Sequence, residues 1–232
     1  MRRELTQYNK VMRSIKKVPS QTTKNRHHFS RFLIIGLIIS FAILTFLAKL
    51  NPYFGFDLQI TRAVQQIQLP LFGNLMQFLT DLGLMPEELV LPVLVALFLV
   101  TIKQLKTAIL VLFSTYGVIA LSETLKRIVE RPRPDSHLIN QVGQYLKPDS
   151  FPSGHVLFFI GFFGFLAYLI YTRLEKTWLS QALVTILLLM ILLIGVSRIY
   201  LGAHWFSDVL GSYLVGTVWL YLMIHLVHRF KV

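Results

Sequence analysis

The segment Trp178–Val196, WLSQALVTILLLMILLIGV, runs for nineteen residues without an Asp, Glu, Lys or Arg. As a helix rising 1.5 Å per residue it measures about 28 Å, close to the ~30 Å of hydrocarbon in a bilayer. Five more apolar runs accompany it: Phe32–Ala48, Leu84–Ile102, Thr107–Ser122, Val156–Thr172 and Val209–Val227. A soluble fold buries one or two such runs; six would leave a large apolar surface in water. In lipid a helix satisfies its own backbone, so these runs predict an all-α polytopic membrane protein, a six-transmembrane-helix bundle. The second run is the most interrupted, with Glu87 and Glu88 near its start and Pro92 inside it. Residues 49–83 carry Asp57, Arg62 and Asp81 among short apolar patches and read as a connection with one or two interfacial helices, such as Leu58–Leu69.

The charge pattern orients this bundle. The net charge is +12, but the cations flank apolar runs instead of lining one polar face, which argues against a nucleic-acid partner. Residues 1–31 are basic, and Lys103, Lys106, Arg173, Lys176, Arg229 and Lys231 fall in the connections and tail on the same side. The positive-inside rule places most of the 23 Lys and Arg in the cytoplasm, with both termini there, in a plasma-membrane protein. The organisation expected is a basic cytoplasmic segment 1–31, a membrane domain 32–227 and a cytoplasmic tail 228–232. The run at Phe32 lies too far from the start for an ordinary secretory signal and reads as an uncleaved first span. Cysteine is absent, which excludes disulfides and thiolate metal sites.

Against this trend, Lys126, Arg127, Arg131, Arg133 and Lys147 share one outward loop. Three clusters sit at outward span ends: Lys126 to Pro134, then Phe151-Pro152-Ser153-Gly154-His155, then Ser197 to Asp208. Lys126, Arg133 and Arg198 supply fixed positive charge suited to a phosphate dianion. Ser153 and the amides around Gly154 lie at a helix start, where unpaired N–H groups favour an anion. His204 and Asp208 are four apart and share a face on a helical stretch, so the carboxylate would hold one ring nitrogen and leave the other free to attack. His155 is available to protonate a departing oxygen.

Lys-x6-Arg-Pro, Pro-Ser-Gly-His and Ser-Arg-x5-His-x3-Asp, in this order, resemble the three motifs of the type 2 phosphatidic acid phosphatase superfamily. The six-residue spacing selects Arg133 over Arg131. The resemblance implies a metal-independent lipid phosphatase with its active site in extracytoplasmic loops and no cofactor. His204 would be the nucleophile forming a phosphohistidine, Asp208 its orienting carboxylate and His155 the general acid. Lys126, Arg133, Ser153, Gly154 and Arg198 would bind the phosphoryl oxygens. Expected partners are membrane lipids and a lipid phosphate substrate: phosphatidylglycerophosphate first, undecaprenyl diphosphate as the alternative. The superfamily also holds vanadium haloperoxidases, but these are typically soluble. Val156 departs from the Ala or Ser that often follows the histidine.

Other residues carry blander readings. Arg127 and Arg131 fit a basic loop anchored to lipid headgroups, and Trp178 and Trp205 fit interfacial aromatic belts. His27, His28, His225 and His228 read as ordinary basic flanks. Glu123 and Glu130 are placed to brace the clamp. A lipid or ion transporter is the rival of another class, but its charges belong along a path or near the midplane, not at one membrane face.

Overall fold

A computed structural model describes residues 21–142 and 148–230, with backbone alone for 21–30. The basic residues of 1–20, together with Lys147 and Lys231, lie outside the described residues, as do the side chains of Lys24, Arg26, His27 and His28. The described residues form eight helices in order: α1 Gln21–Leu50, α2 Gly55–Gln65, α3 Pro70–Asp81, α4 Glu87–Thr101, α5 Leu105–Val129, α6 Gly154–Arg173, α7 Trp178–Tyr200 and α8 Phe206–Arg229. Among the described residues there is no strand, only an isolated bridge between Pro132 and Asp149.

Among the described residues, five helices are long and apolar enough to cross a membrane: Arg31–Leu50 of α1, and α5, α6, α7 and α8. The run expected as the second span forms α4, whose 15 residues extend about 22 Å, short of the hydrocarbon thickness. The outer faces carry the apolar surface that lipid tolerates and water does not, including Phe32, Ile39 and Phe46 of α1 and Ile186, Leu188 and Leu192 of α7.

The most enclosed span is α6, 67% buried where α7 is 17%, so it forms the axis around which the others pack. Its core is aromatic, with Phe158 stacked on Phe162 and Phe159 edge-on to Phe163 at 4.9 Å. Lipid tails give helices no hydrophobic reason to associate, so close packing at small residues and interhelical hydrogen bonds hold them together. Gly161 lies against Val118 of α5, and Ser114 Oγ donates to Gly161 O at 2.6 Å. That carbonyl lies in a π-helical stretch, Ile160–Gly164, whose wider turn loosens the usual i−4 ladder.

Helix polarity places the site. The C-terminal ends of α5 and α7 and the N-terminal ends of α6 and α8 meet at one end of the bundle. Lys49, at the end of α1, donates there to Ile128 O at 2.8 Å. The opposite end holds Lys103, Lys106, Arg173, Lys176 and Arg229, and Arg173 Nη1 donates to Thr107 Oγ1 at 2.7 Å.

Three helices run past the ends that hydropathy assigns them. Helix α5 continues from Ser122 to Val129, α7 from Val196 to Tyr200, and α8 begins at Phe206. Lys126 and Arg198 therefore stand on final helical turns, and Asp208 on a first one, not in loops. These charges end the apolar runs without ending the helices, because all three are buried inside the protein. The 49–83 connection holds two helices, α2, which overlaps the expected Leu58–Leu69 but starts at Gly55 and ends at Gln65, and α3. Helix α3 belongs to the core: Met76 and Leu79 are buried, and Ser197 Oγ donates to Met76 O at 2.5 Å.

Candidate active site

A cavity of about 550 Å³ opens at the end where α5 to α8 converge. Its wall includes Lys126, Arg133, Gly154, His155, Arg198 and His204, drawn from all three motifs. Ser153 and Asp208 stand behind it, fully buried.

Lys126 is 7% exposed, with Nζ 3.5 Å from Glu123 Oε1, the bracing expected of that glutamate. Glu130, expected to brace as well, is exposed and closes α5 in the left-handed conformation. Arg133 comes from the segment after α5, which pairs with 148–150: Ser150 N donates to Arg131 O at 2.8 Å and Arg133 N to Pro148 O at 3.2 Å. Arg133 Nη1 donates to Ala203 O at 2.8 Å and lies 3.3 Å from His204 Nε2.

Ser153 caps α6. Its amide donates to Ser212 Oγ at 2.7 Å, while its own Oγ is buried without a partner. His155 follows one position into the helix, half-buried, with Nε2 enclosed and also without a partner. A Cβ at position 83 would sit 2.7 Å from His155 Cδ2, so only a glycine lets the ring lie against the turn after α3.

Arg198 ends α7 with Nη1 donating to Thr80 Oγ1 at 2.9 Å. The chain then folds back on itself: the amides of Ala203 and His204 both donate to Arg198 O. Gly202 makes this reversal at φ +66°, where a Cβ would collide with Asn140 O. Left-handed backbone costs a residue with a Cβ about 1–2 kcal/mol before that collision is counted. Gly202→Ala is therefore expected to lower the thermal midpoint in detergent and to cut activity with it, because His204 is two residues away.

His204 is 1% exposed. Its Nδ1 lies 3.6 Å from Asp208 Oδ2, and that oxygen accepts the amide of Trp205 at 2.9 Å. The expectation of one shared helical face does not hold, because α8 starts at Phe206 and His204 precedes it. The carboxylate caps the helix N-terminus instead, which leaves Oδ2 beside the ring at a distance longer than a hydrogen bond. Burial first, then the positive charges of Arg133, Arg198 and Lys126, hold the His204 ring well below its ordinary pKa of 6.5, with a contact to the Ser150 backbone opposing them. At neutral pH the ring is uncharged and keeps a lone pair.

Two blander readings are corrected here. Arg131, expected at lipid headgroups, is 1% exposed and ion-paired with Asp57 at 3.0 Å and Asp208 at 2.5 Å. Two carboxylates compensate its charge in the interior. Trp205, expected in an aromatic belt, is buried with its ring 5.1 Å from that of Tyr53. Trp178 is 82% exposed, as a belt residue would be. Asp57, Thr80 and Ser207 were not singled out in the sequence. Asp57 is one of two acids in the 49–83 connection, and nothing in its spacing ties it to Ser207, whose amide and Oγ donate to it at 2.8 and 2.7 Å.

The cavity sets Lys126, Arg133 and Arg198 against Glu88 and Glu123, a balance that suits an anion. Among the described residues, no three His, Cys, Asp or Glu come together as a metal site.

Known proteins resemble this chain in sequence and in fold. Phosphatidylglycerophosphatase B of Bacillus subtilis strain 168 is 29% identical over 194 residues, covering 82% of this chain and 92% of the relative. An undecaprenyl-diphosphatase of Sulfolobus acidocaldarius is 28% identical over 186 residues, covering 78% and 84%. A crystal structure of a transmembrane PAP2-type phosphatidylglycerolphosphate phosphatase from Bacillus subtilis superposes with a TM-score of 0.73 at 26% identity, over 84% of this chain and 96% of that one. LpxE of Aquifex aeolicus shares the fold, with a TM-score of 0.58 at 23% identity over 74% and 96%. The PAP2 superfamily itself matches residues 107–231, more than half the chain and the part that holds all three motifs. On that match, with the long apolar helices and the convergent cavity, this chain is a multi-pass membrane phosphatase and belongs to the PAP2 superfamily.

Proposed function

We propose that this enzyme hydrolyses a phosphomonoester or diphosphate of a membrane lipid through a phosphohistidine on His204. One observation carries the reading: His204, uncharged and buried, stands between Asp208 on its Nδ1 side and Arg133 on its Nε2 side at the wall of a cationic cavity. The Nε2 lone pair forms the N–P bond as the bond from phosphorus to the lipid oxygen breaks, and His155 supplies that oxygen's proton. Water then attacks phosphorus, returns a proton to His155 and breaks the N–P bond, releasing inorganic phosphate. Lys126, Arg133, Arg198, Ser153 and the Gly154 amide hold the phosphoryl oxygens and stabilise charge as it develops.

The names of the two curated relatives support phosphatidylglycerophosphate as the first substrate to try and undecaprenyl diphosphate as the second. Six crossings, counting α4, with both termini in the cytoplasm and the site outside, agree with the cations gathered at the end remote from the cavity. A transporter is disfavoured because the polar groups crowd one end of the bundle.

Purified protein is expected to release phosphate from such lipids in EDTA and to be inhibited by vanadate, which mimics five-coordinate phosphorus. An absolute requirement for added metal contradicts the mechanism. The pH profile carries its own sign. A depressed His204 pKa means protonation silences the nucleophile only well below pH 6.5, so kcat/KM holds through pH 6.5 on the acid side. An acid limb above that value, in a substrate whose own ionisation is accounted for, counts against an uncharged His204.

A further inference from the structure

Arg131 does not line the cavity, yet every nitrogen of its guanidinium is bonded. Its Nε donates to Asn51 O at 3.2 Å, and its Nη2 to Asp57 Oδ2 at 3.0 Å. Its Nη1 donates to both Ser207 Oγ at 2.7 Å and Asp208 Oδ1 at 2.5 Å, and the guanidinium sits 5.1 Å over the Phe54 ring. Ser207 ties the far side together by donating to Asp57 through amide and hydroxyl. Neither Arg131 nor its two carboxylates exposes any side-chain surface. A buried ion cluster of this kind is poor value as stabilisation, since apolar side chains of similar volume often serve equally well. Its geometry points elsewhere, because the Asp208 carboxylate is divided: Oδ1 belongs to Arg131, and Oδ2 faces the Trp205 amide and His204 Nδ1.

We infer that Arg131, itself held by Asp57 and Ser207, is the positioning residue that fixes the Asp208 carboxylate toward His204 and so sets the nucleophile's tautomer. This rests on the reading of His204 as nucleophile and Asp208 as its partner. The control is assembled from three places: α2 supplies Asp57, the segment after α5 supplies Arg131, and α8 supplies Ser207 and Asp208. Because Arg131 is outside the cavity wall, its loss acts on turnover and spares binding.

The charged and titratable groups facing this pair are Arg131 and Arg133 from the segment after α5, Lys126 on α5, His155 on α6, Arg198 on α7 and Asp57 on α2. Removing the Arg131 charge takes away the cation that stands between Asp57 and Asp208. The loss of one positive charge beside the His204–Asp208 pair moves the acid limb of the kcat profile to higher pH.

The test uses the full-length enzyme in detergent, assayed on a short-chain lipid phosphate. Arg131→Gln is expected to lower kcat about 10- to 100-fold, the scale of a misplaced catalytic group, with KM unchanged and the acid limb shifted upward. Arg131→Lys recovers part of both, and Arg127→Ala, one residue past Lys126 and exposed, changes neither. A folded Arg131→Gln enzyme with an unmoved acid limb overturns the role, whatever its kcat. If that variant does not fold, Ser207→Ala decides by the same two measurements, with a smaller change in the same direction expected and no change overturning it. His204→Ala runs alongside: activity retained there defeats the phosphohistidine reading, whereas activity lost there beside an unaltered Arg131→Gln defeats only the inference about Arg131.

Discussion

His204→Ala is expected to reduce phosphate release by a factor on the order of 10⁴ or more, because it removes the atom that would bond to phosphorus. The cationic wall survives in this variant. Lys126 and Arg198 keep their places on α5 and α7, with Arg198 still donating to Thr80. Substrate and vanadate should therefore still bind, and the loss should fall on kcat. What residual turnover remains would come from water activated in the electrostatic cradle alone. Phosphate release within tenfold of the parent enzyme, measured on the same lipid, rules out His204 as nucleophile.

Asp208→Asn is the second large effect, expected to cost on the order of 10³- to 10⁴-fold in kcat, the scale at which an amide in place of an orienting carboxylate disables a histidine. The amide keeps the volume and a carbonyl that can still accept the Trp205 N–H. It removes the negative charge that favours a proton on His204 Nδ1, so Nε2 no longer keeps its lone pair toward the cavity. Arg131 retains Asp57 as a counter-ion at 3.0 Å, which keeps the interior from holding a wholly unpaired cation. The enzyme should therefore fold and bind vanadate while turning over slowly. Equal activity of Asp208→Asn and the parent would assign Asp208 to helix capping alone.

The membrane character and the composition of the site were legible because both depend on local sequence. Apolar runs announce helices by length, and three spaced motifs bring their own chemistry. The boundaries were less legible for one physical reason: Lys126, Arg198 and Asp208 break the hydropathy of α5, α7 and α8, yet face inward and are buried, so the helices continue through them. The same cause hid Arg131. A charge run reads as a solvated surface unless its partners are known, and Asp57 lies 74 residues away on a helix too short to stand out by periodicity. The relation of His204 to Asp208 came out through a different geometry from the one the spacing suggests. A four-residue interval works here because a helix begins between the two, letting the carboxylate cap its first turn. Thr80 had no sequence signal, since its role depends on how α3 docks against α7.

The most direct test of the central claim is to trap the enzyme during turnover of a ³²P-labelled lipid phosphate. The sample is quenched in alkali, where an N–P bond survives, and the labelled peptide is mapped. Label on the peptide carrying His204, stable to base, labile to acid and absent from His204→Ala, is the expected result. Label on a different residue, or rapid turnover with no covalent phosphate under conditions that slow its hydrolysis, contradicts the account.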